Sequence, residues 1–218
     1  MDRTGGKESL APVRAGAGIK AVIFDLGRVL VEITTGGEKF STLMREIGIP
    51  PEQAFQRFWN EPEVLRHGRG EIDSHEFHRL ARERFQLSLG FESFAEAWCD
   101  LFRPIPEMEK LFMRLAGRCR LGLLSDTDPL HWAWLRRRLP WLERVEHPTL
   151  SHETGFLKPH PEAFRLAVVH SGAERADECL FVDDLPVNVE AARNCGLQAR
   201  LFTGAGRLEE DFKRLGLL

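Results

Sequence analysis

The sequence lacks any apolar run approaching the roughly 20 residues that a membrane-spanning helix requires. Its first residues also lack the continuous apolar segment of a secretory signal. We therefore expect a cytoplasmic protein without a membrane partner. Tyrosine is absent, beside 15 Phe and 5 Trp, and nothing about function follows from that absence.

Cysteine is scarce, and the 4 residues present are scattered without a CxxC pair. This distribution argues against a disulfide scaffold and against a cysteine zinc site. Positive charge is not in excess either, because 30 Lys and Arg stand against 33 Asp and Glu. A nucleic-acid-binding protein would carry a basic stripe, so we expect no nucleic-acid partner.

The chain length of 218 residues suits one core domain with a modest insertion. Residues 1–19 are rich in Gly, Ala and charge and have no periodicity, which indicates a loose tail. Residues 36–103 show helical spacing, which predicts a helical insertion within a core formed by residues 20–35 and 104–218. Its two apolar stripes are Phe40, Leu43, Met44 and Ile47, and Phe77, Leu80, Ala81 and Phe85.

Apolar runs typical of buried parallel strands alternate with helical patterns along the core. The predicted strands are Lys20–Leu26, Arg120–Ser125, Cys179–Val182 and Gln198–Thr203, with a weaker candidate at Arg144–Leu150. The predicted helices are Pro106–Ala116, Pro161–His170 and Pro186–Cys195. This alternation predicts an α/β fold in which helices cover both faces of a parallel sheet.

Polar residues stand where three of the predicted strands end. They are Asp25, Ser125 and the pair Asp183-Asp184. Each alone is compatible with a turn or a helix cap. Ligands of an open parallel sheet bind outside the carboxyl ends of its strands, so together these residues predict a functional edge.

The chemistry suited to this set is phosphoryl transfer, which needs a nucleophile, a cation and donors that hold the phosphate. The carboxylate of Asp25 can attack phosphorus and form an acyl phosphate. Asp183 and Asp184 add oxygen ligands suited to Mg²⁺. Ser125 offers a hydroxyl, and Lys158, placed before a proline and a helix, supplies positive charge.

Four segments resemble, in order and spacing, the motifs of haloacid dehalogenase-like hydrolases. They are FDLG at 24–27, LLSDT at 123–127, KPHPEAF at 158–164 and FVDDLPVNVEAARNCGLQA at 181–199. The resemblance covers the chain from about residue 20 to its end. It implies a Rossmann-like three-layer α/β/α core, with the insertion as an all-α cap of the C1 type over the substrate.

The resemblance also assigns roles to individual residues. It implies that Asp25 is the nucleophile and, with the Gly27 carbonyl and the acidic pair Asp183/Asp184, a ligand of the metal. Which member of the pair binds directly stays open. Asn188, one helical turn later, is expected to orient the pair.

The chain departs from the commonest phosphatase pattern at two points. Gly27, followed by Arg28, stands where an aspartate usually acts as general acid and base, and Asp126 stands where asparagine is common. Arg28 is compatible with phosphate binding or with packing across the flap. His131 is a possible substitute proton carrier, although a surface or core-edge position is favoured.

In the insertion, Gly68-Arg69-Gly70-Glu71 resembles the substrate-facing loop of C1 caps, and a simple turn between helices is the alternative. The predicted function is Mg²⁺-dependent hydrolysis of a small phosphorylated metabolite, such as a sugar phosphate. One alternative is a catalytically impaired protein that binds such a metabolite in the same pocket. A 2-haloacid dehalogenase ranks last, because an acidic pair suits a departing halide poorly. The oligomeric state is left open.

Overall fold

A computed structural model describes residues 18–218 of the chain. Residues 1–17 of the tail predicted for residues 1–19 therefore lie outside the described residues. The strands are β1 Ala21–Phe24, β2 Val31–Ile33, β3 Phe102–Pro104, β4 Arg120–Ser125, β5 Thr149–Leu150, β6 Cys179–Asp183 and β7 Gln198–Leu201.

Five of the helices follow one another between β2 and β3, and the others lie between or after the later strands. Several helices begin with proline, at a position that needs no backbone N–H donor. The helices are α1 Glu38–Glu46, α2 Ala54–Arg57, α3 Pro62–Gly68, α4 Ser74–Phe85, α5 Phe91–Cys99, α6 Pro106–Leu115, α7 Pro129–Arg138, α8 Ser151–Thr154, α9 Pro161–His170, α10 Pro186–Asn194 and α11 Ala205–Arg214. Short 3₁₀ helices span Pro51–Gln53, Pro140–Arg144 and Ala176–Glu178.

Five parallel strands form one sheet in the order β5-β4-β1-β6-β7. In its register, Phe24 of β1 lies opposite Leu123 of β4 and Val182 of β6. The carboxyl ends of these three strands therefore meet at one edge. The prediction of an α/β fold with a parallel sheet is confirmed.

Helices cover both faces of the sheet. Consecutive side chains of β1 point to opposite faces, so each face offers apolar side chains against which helices pack. On one face, Phe24 packs against Phe112 of α6 and Phe212 of α11, with ring centroids 5.6 and 6.2 Å away. On the other face, Phe164 of α9 meets Phe181 of β6 at 5.5 Å, edge to face. All five rings are fully buried.

The segment between Glu38 and Cys99 is helical, in agreement with the predicted stripes. It is flanked by β2 and β3, which pair with each other antiparallel. The last residues of the predicted insertion, 102 and 103, thus belong to a strand and not to a helix. The insertion shares one apolar cluster with the sheet face that carries Phe24, through Phe40, Phe77 and Trp98 among others. The domain boundaries themselves stay a prediction.

Three predicted strands are shorter than expected. The run 20–26 forms a strand only over Ala21–Phe24. The run 198–203 ends as a strand at Leu201, and the run 144–150 contains only Thr149–Leu150, since its first residue closes a 3₁₀ helix.

In the part of the chain from residue 18 onward, no helix combines the length and apolar character needed to cross a bilayer.

Candidate active site

The carboxyl edge of the sheet brings the predicted site residues together. Asp25 directly follows β1, and its amide donates to the Val182 carbonyl of β6 at 2.8 Å. Ser125 is the last residue of β4 and Asp183 the last of β6. Both Asp25 and Ser125 are buried, and Asp183 is inaccessible to solvent.

Lys158 links two of these carboxylates. Its Nζ lies 2.5 Å from Asp25 Oδ1 and 2.8 Å from Asp183 Oδ2. Only 4% of its side chain is exposed. Its backbone amide donates to Asp126 Oδ1 at 2.9 Å, so the same residue also holds the second motif. The lysine stands just before α9, where Pro159 and Pro161 restrict the backbone.

Asp183 has both carboxylate oxygens engaged. Oδ1 accepts the Leu185 amide at 2.8 Å, and Oδ2 accepts the Lys158 ammonium. Asn188 Nδ2 lies 3.1 Å from each of the two oxygens. Asn188 was predicted to orient the acidic pair, and the member of the pair that it contacts is Asp183.

Asp184 has a different environment, with 20% of its side chain exposed. Its Oδ2 lies 3.8 Å from Arg28 Nη1. Arg28 has a φ of 59°, and its amide donates to the Val31 carbonyl at 2.6 Å. This contact fixes the start of the flap, which we define as residues 26–33, that is, the segment after Asp25 together with β2. Arg28 thus faces the acidic pair from the flap.

Burial raises the pKa of several carboxyl groups at this edge. For Asp25 it raises the pKa to about 7, with Asp183 adding to the rise and Lys158 opposing it. Burial also raises the pKa of Asp126 and of Asp184. Burial alone would lower the pKa of Lys158, but the carboxylates of Asp25, Asp126 and Asp183 outweigh it and raise that pKa.

The charges at this edge suit a divalent cation. Four carboxyl groups face two cationic side chains, which leaves an excess of two negative charges when all are ionised. Between residues 18 and 218, no three His, Cys, Asp or Glu side chains are grouped as metal ligands. The predicted set combines the Gly27 carbonyl with three carboxylates, those of Asp25, Asp183 and Asp184, and the three carboxylates do not form such a group here. Asp183 is turned to Lys158. Carboxylate and carbonyl oxygens are the ligands that Mg²⁺ prefers, so the residues present fit the ion.

The position of the usual general acid is filled from the flap. A Cβ added to Gly27 would lie 2.6 Å from Ile33 Cδ1 of β2. The end of the Ile33 side chain therefore lies against the position that the Cβ of a residue other than glycine would take at position 27.

The favoured surface or core-edge position of His131 is wrong. His131 is 4% exposed, its Nδ1 lies 2.8 Å from Asp128 Oδ2, and its Nε2 lies 3.1 Å from the Trp98 carbonyl. Both ring nitrogens are thus engaged in a buried contact. Asp128 was not predicted as a site residue, although Asp128-Pro129 before a helical pattern is typical of a helix N-cap.

A model of the haloacid dehalogenase-like hydrolase family matches residues 19–196, well over half of the chain. The chain belongs to this family. The prediction of an enzyme of the hydrolase class is thereby confirmed, and the sheet order is that of a Rossmann-like core.

Named relatives of this hydrolase include phosphatases. The chain is similar to the glyceraldehyde 3-phosphate phosphatase of Pyrococcus abyssi, with 26% identity over 84% of this chain and 81% of the relative. It is also 40% identical to a flavin mononucleotide hydrolase of Arabidopsis thaliana, over only 29% of this chain and 25% of that protein.

The fold is shared with solved structures of the family. A haloacid dehalogenase family enzyme of Bacteroides thetaiotaomicron, in complex with magnesium and inorganic phosphate, matches with a TM-score of 0.73 and 26% identity over 84% of this chain and 94% of that one. A 2-haloacid dehalogenase of Pseudomonas syringae matches with a TM-score of 0.60 and 20% identity, over 90% and 99% of the two chains. That second likeness concerns the fold alone. Magnesium is thus a ligand found in this family.

Proposed function

We propose that this hydrolase is a Mg²⁺-dependent phosphatase that cleaves a small phosphomonoester through an aspartyl phosphate on Asp25. The observation that carries the proposal is the position of Lys158, whose ammonium lies between Asp25 and Asp183 at the sheet edge. A buried carboxylate paired with a lysine, beside further carboxyl groups that favour a cation, suits attack on a phosphate dianion.

In the first step, an Asp25 carboxylate oxygen forms a bond to phosphorus as the bond to the leaving-group oxygen breaks. In the second step, water attacks the same phosphorus, the acyl phosphate bond breaks, and inorganic phosphate leaves with Asp25 regenerated. The nucleophile must be ionised, and burial opposes this by raising the pKa of Asp25 to about 7. Lys158 opposes the rise and favours the reactive form.

Asp25, the Gly27 carbonyl and Asp184 would hold the Mg²⁺. Asp184 is preferred over Asp183 because both oxygens of Asp183 already accept hydrogen bonds. When bound, the ion reduces the repulsion between nucleophile and phosphate and orients the phosphate oxygens. The transferred phosphate would be contacted or positioned by Ser125, Asp126 and Lys158. Arg28 would form the boundary of the site next to Asp184.

The leaving group would receive its proton without help from position 27. Positioned acid-base catalysis contributes typically ~10² to 10⁴-fold, so its loss leaves a slower phosphatase. Substrates with good leaving groups need this help least. Aryl phosphates should therefore be cleaved faster than alkyl phosphates.

A cleft beside Arg28 offers room for the organic part of a substrate. It has a volume of about 590 Å³ and lies between the flap and the start of α11. Arg28, Ile33 and Phe202 are among its lining residues. A small phosphorylated metabolite such as a sugar phosphate is in keeping with the relative named for glyceraldehyde 3-phosphate.

The proposal is tested by phosphate release from an aryl phosphate with Mg²⁺ and with EDTA. The wild type should be active only with the ion, and Asp25→Asn should lose at least about 10³-fold in rate, a barrier increase of ~4 kcal/mol. Asp177→Asn, which changes a surface aspartate paired with Arg175, serves as the matched control and should retain full rate.

An Asp25→Asn variant with full activity would refute the aspartyl phosphate. If phosphate raises the melting temperature of a protein that shows no turnover over a panel of metabolites, the alternative of a phosphometabolite-binding protein is favoured. Chloride release from 2-chloropropionate would favour the dehalogenase alternative.

A further inference from the structure

A buried polar cluster joins the helical insertion to the segment that follows β4. At its centre is Asp128, which is 5% exposed. Its Oδ2 accepts the indole N–H of Trp98 in α5 at 2.9 Å and lies 2.8 Å from His131 Nδ1. Its Oδ1 accepts the His131 amide at 2.9 Å and so caps α7. One carboxylate thus ties the last turn of the insertion to the core.

A second connection reaches the same segment from the other side. The Ser151 hydroxyl accepts the Thr127 amide at 2.9 Å and donates to the Gly68 carbonyl at 2.6 Å. Gly68 ends α3 of the insertion. Close by, a Cβ added to Gly70 would lie 2.0 Å from the His152 carbonyl oxygen, so the insertion loop rests directly on the backbone of α8.

Both connections end on residues next to Ser125 and Asp126. Thr127 and Asp128 are consecutive, and the Ser125–Asp128 segment is therefore held by α5 through Asp128 and by α3 through Ser151. Charge-assisted bonds and buried hydroxyl bonds are expensive to leave unmade, so the segment and the insertion adopt their positions together.

We propose that Asp128 and Ser151 are positioning residues, which make the phosphate-binding shape of Ser125–Asp128 depend on the seating of the insertion. This rests on the proposed function of that segment. When the insertion is seated, the segment is preorganised; when either contact is lost, the binding-competent shape is populated less. A ligand's apparent dissociation constant rises in proportion to that loss, while the chemistry of bound molecules is unchanged.

Two variants break the two connections, and each has a matched control. Trp98→Phe removes the N–H that Asp128 accepts, and Trp141→Phe removes a buried indole N–H that has no hydrogen-bond partner among residues 18–218. Gly70→Ala would place a methyl group 2.0 Å from the His152 carbonyl oxygen, so the loop that follows Gly68 would have to move away from α8 and from Ser151. Gly48→Ala adds the same methyl group at a φ of 74°, close to the 67° of Gly70, but with no atom within 4 Å.

The measurements are kcat and KM for an aryl phosphate with Mg²⁺, and the dissociation constant of inorganic phosphate by calorimetry. Trp98→Phe and Gly70→Ala should each raise KM and the phosphate dissociation constant about tenfold, with kcat within about twofold of the wild type. Both controls should match the wild type in these constants. Asp128→Asn, which keeps an oxygen acceptor, should lie between the wild type and Asp128→Ala.

If Trp98→Phe and Gly70→Ala lower the melting temperature but leave KM and phosphate affinity equal to those of their controls, the contacts only hold the fold and the inference is wrong. Phosphate binding separates this result from failure of the proposed function. A wild type that binds phosphate without turnover, with the same difference between variants and controls, overturns the phosphatase and supports the positioning role. A wild type that does not bind phosphate overturns both.

Discussion

At the scale of single residues, one ammonium group organises the candidate site. Lys158 contacts Asp25 and Asp183 through its side chain and Asp126 through its amide. Removing one partner of a buried ion pair leaves an uncompensated charge, which costs more than the pair itself contributes. The lysine is therefore needed for stability as well as for the proposed chemistry.

Lys158→Met should destabilise the protein by about 3 to 5 kcal/mol near pH 8 and abolish phosphatase activity. This deficit, the loss of unfolding free energy relative to the wild type, should become smaller as the pH is lowered. Burial already raises the pKa of Asp25 to about 7, and loss of the lysine raises it further. From the unfolded pKa of ~3.9 up to about pH 7, Asp25 is protonated in both folded proteins, so both lose stability equally. The deficit of Lys158→Met therefore grows only above about pH 7, where Asp25 ionises in the wild type and stays protonated in the variant.

Urea unfolding at several pH values measures this effect. The matched control is Lys39→Met, because Lys39 forms an ion pair with Glu96 in which both side chains are more than half exposed. Exposed pairs contribute ~0 to 1 kcal/mol, so the control should be nearly neutral. Equal losses in both variants, or a loss independent of pH, would contradict the interpretation.

At the scale of elements, the flap distinguishes this site from the commonest phosphatase pattern. It runs from Asp25 into β2, which pairs with β3. Since β2 precedes the helical insertion and β3 follows it, the two ends of the insertion lie next to each other. The same strand places Ile33 over Gly27. The space next to Gly27, which the side chain of an acidic residue would enter, is thus occupied by the side chain of Ile33.

Gly27→Asp should consequently be destabilising by about 0.5 to 1.5 kcal/mol, because the terminal methyl group of Ile33 would have to rotate away from the new Cβ. Ile33→Val removes that one methyl group. In the double variant most of the loss should be recovered, and cleavage of an alkyl phosphate should become faster by up to ~10²-fold through the added acid. Denaturant unfolding and alkyl phosphate kinetics of the two single variants and the double variant measure this coupling. Strictly additive effects would show that Ile33 does not cover position 27.

At the scale of the whole molecule, insertion and core are not separate bodies in their packing. A single apolar cluster extends from the β1 face through the flap to Phe77 and Trp98 of the insertion. The carboxyl edge below it concentrates negative charge. Folding thus places several carboxyl groups in an unfavourable environment, and binding of a cation would relieve it.

Mg²⁺ should therefore raise the melting temperature of the wild type, and EDTA should reverse this. At a concentration about 100 times its dissociation constant, a ligand specific for the native state contributes ~2.7 kcal/mol. Asp184→Asn should need much more Mg²⁺ for the same shift, whereas Asp177→Asn should respond like the wild type. A shift that is unchanged in Asp184→Asn would remove Asp184 from the metal site.

The parallel sheet, the helical character of residues 38–99 and the strand ends that carry Asp25, Ser125 and Asp183 could be predicted from the sequence alone. These features depend on local periodicity and on a polar residue at the end of an apolar run, both of which are visible in short segments. The four motifs likewise lie within short segments, and their order was sufficient to suggest the family.

The contacts between distant side chains could not be predicted in this way, because they depend on the folded arrangement of the whole chain. Lys158 and Asp25 are 133 positions apart, so no local pattern shows that their side chains touch. The engagement of both Asp183 oxygens, the cover of Gly27 by Ile33 and the burial of His131 against Asp128 and Trp98 depend in the same way on contacts between separate elements. Their geometry is set by packing of the whole chain, because the distance between two side chains is fixed only when the helices and strands that carry them are placed.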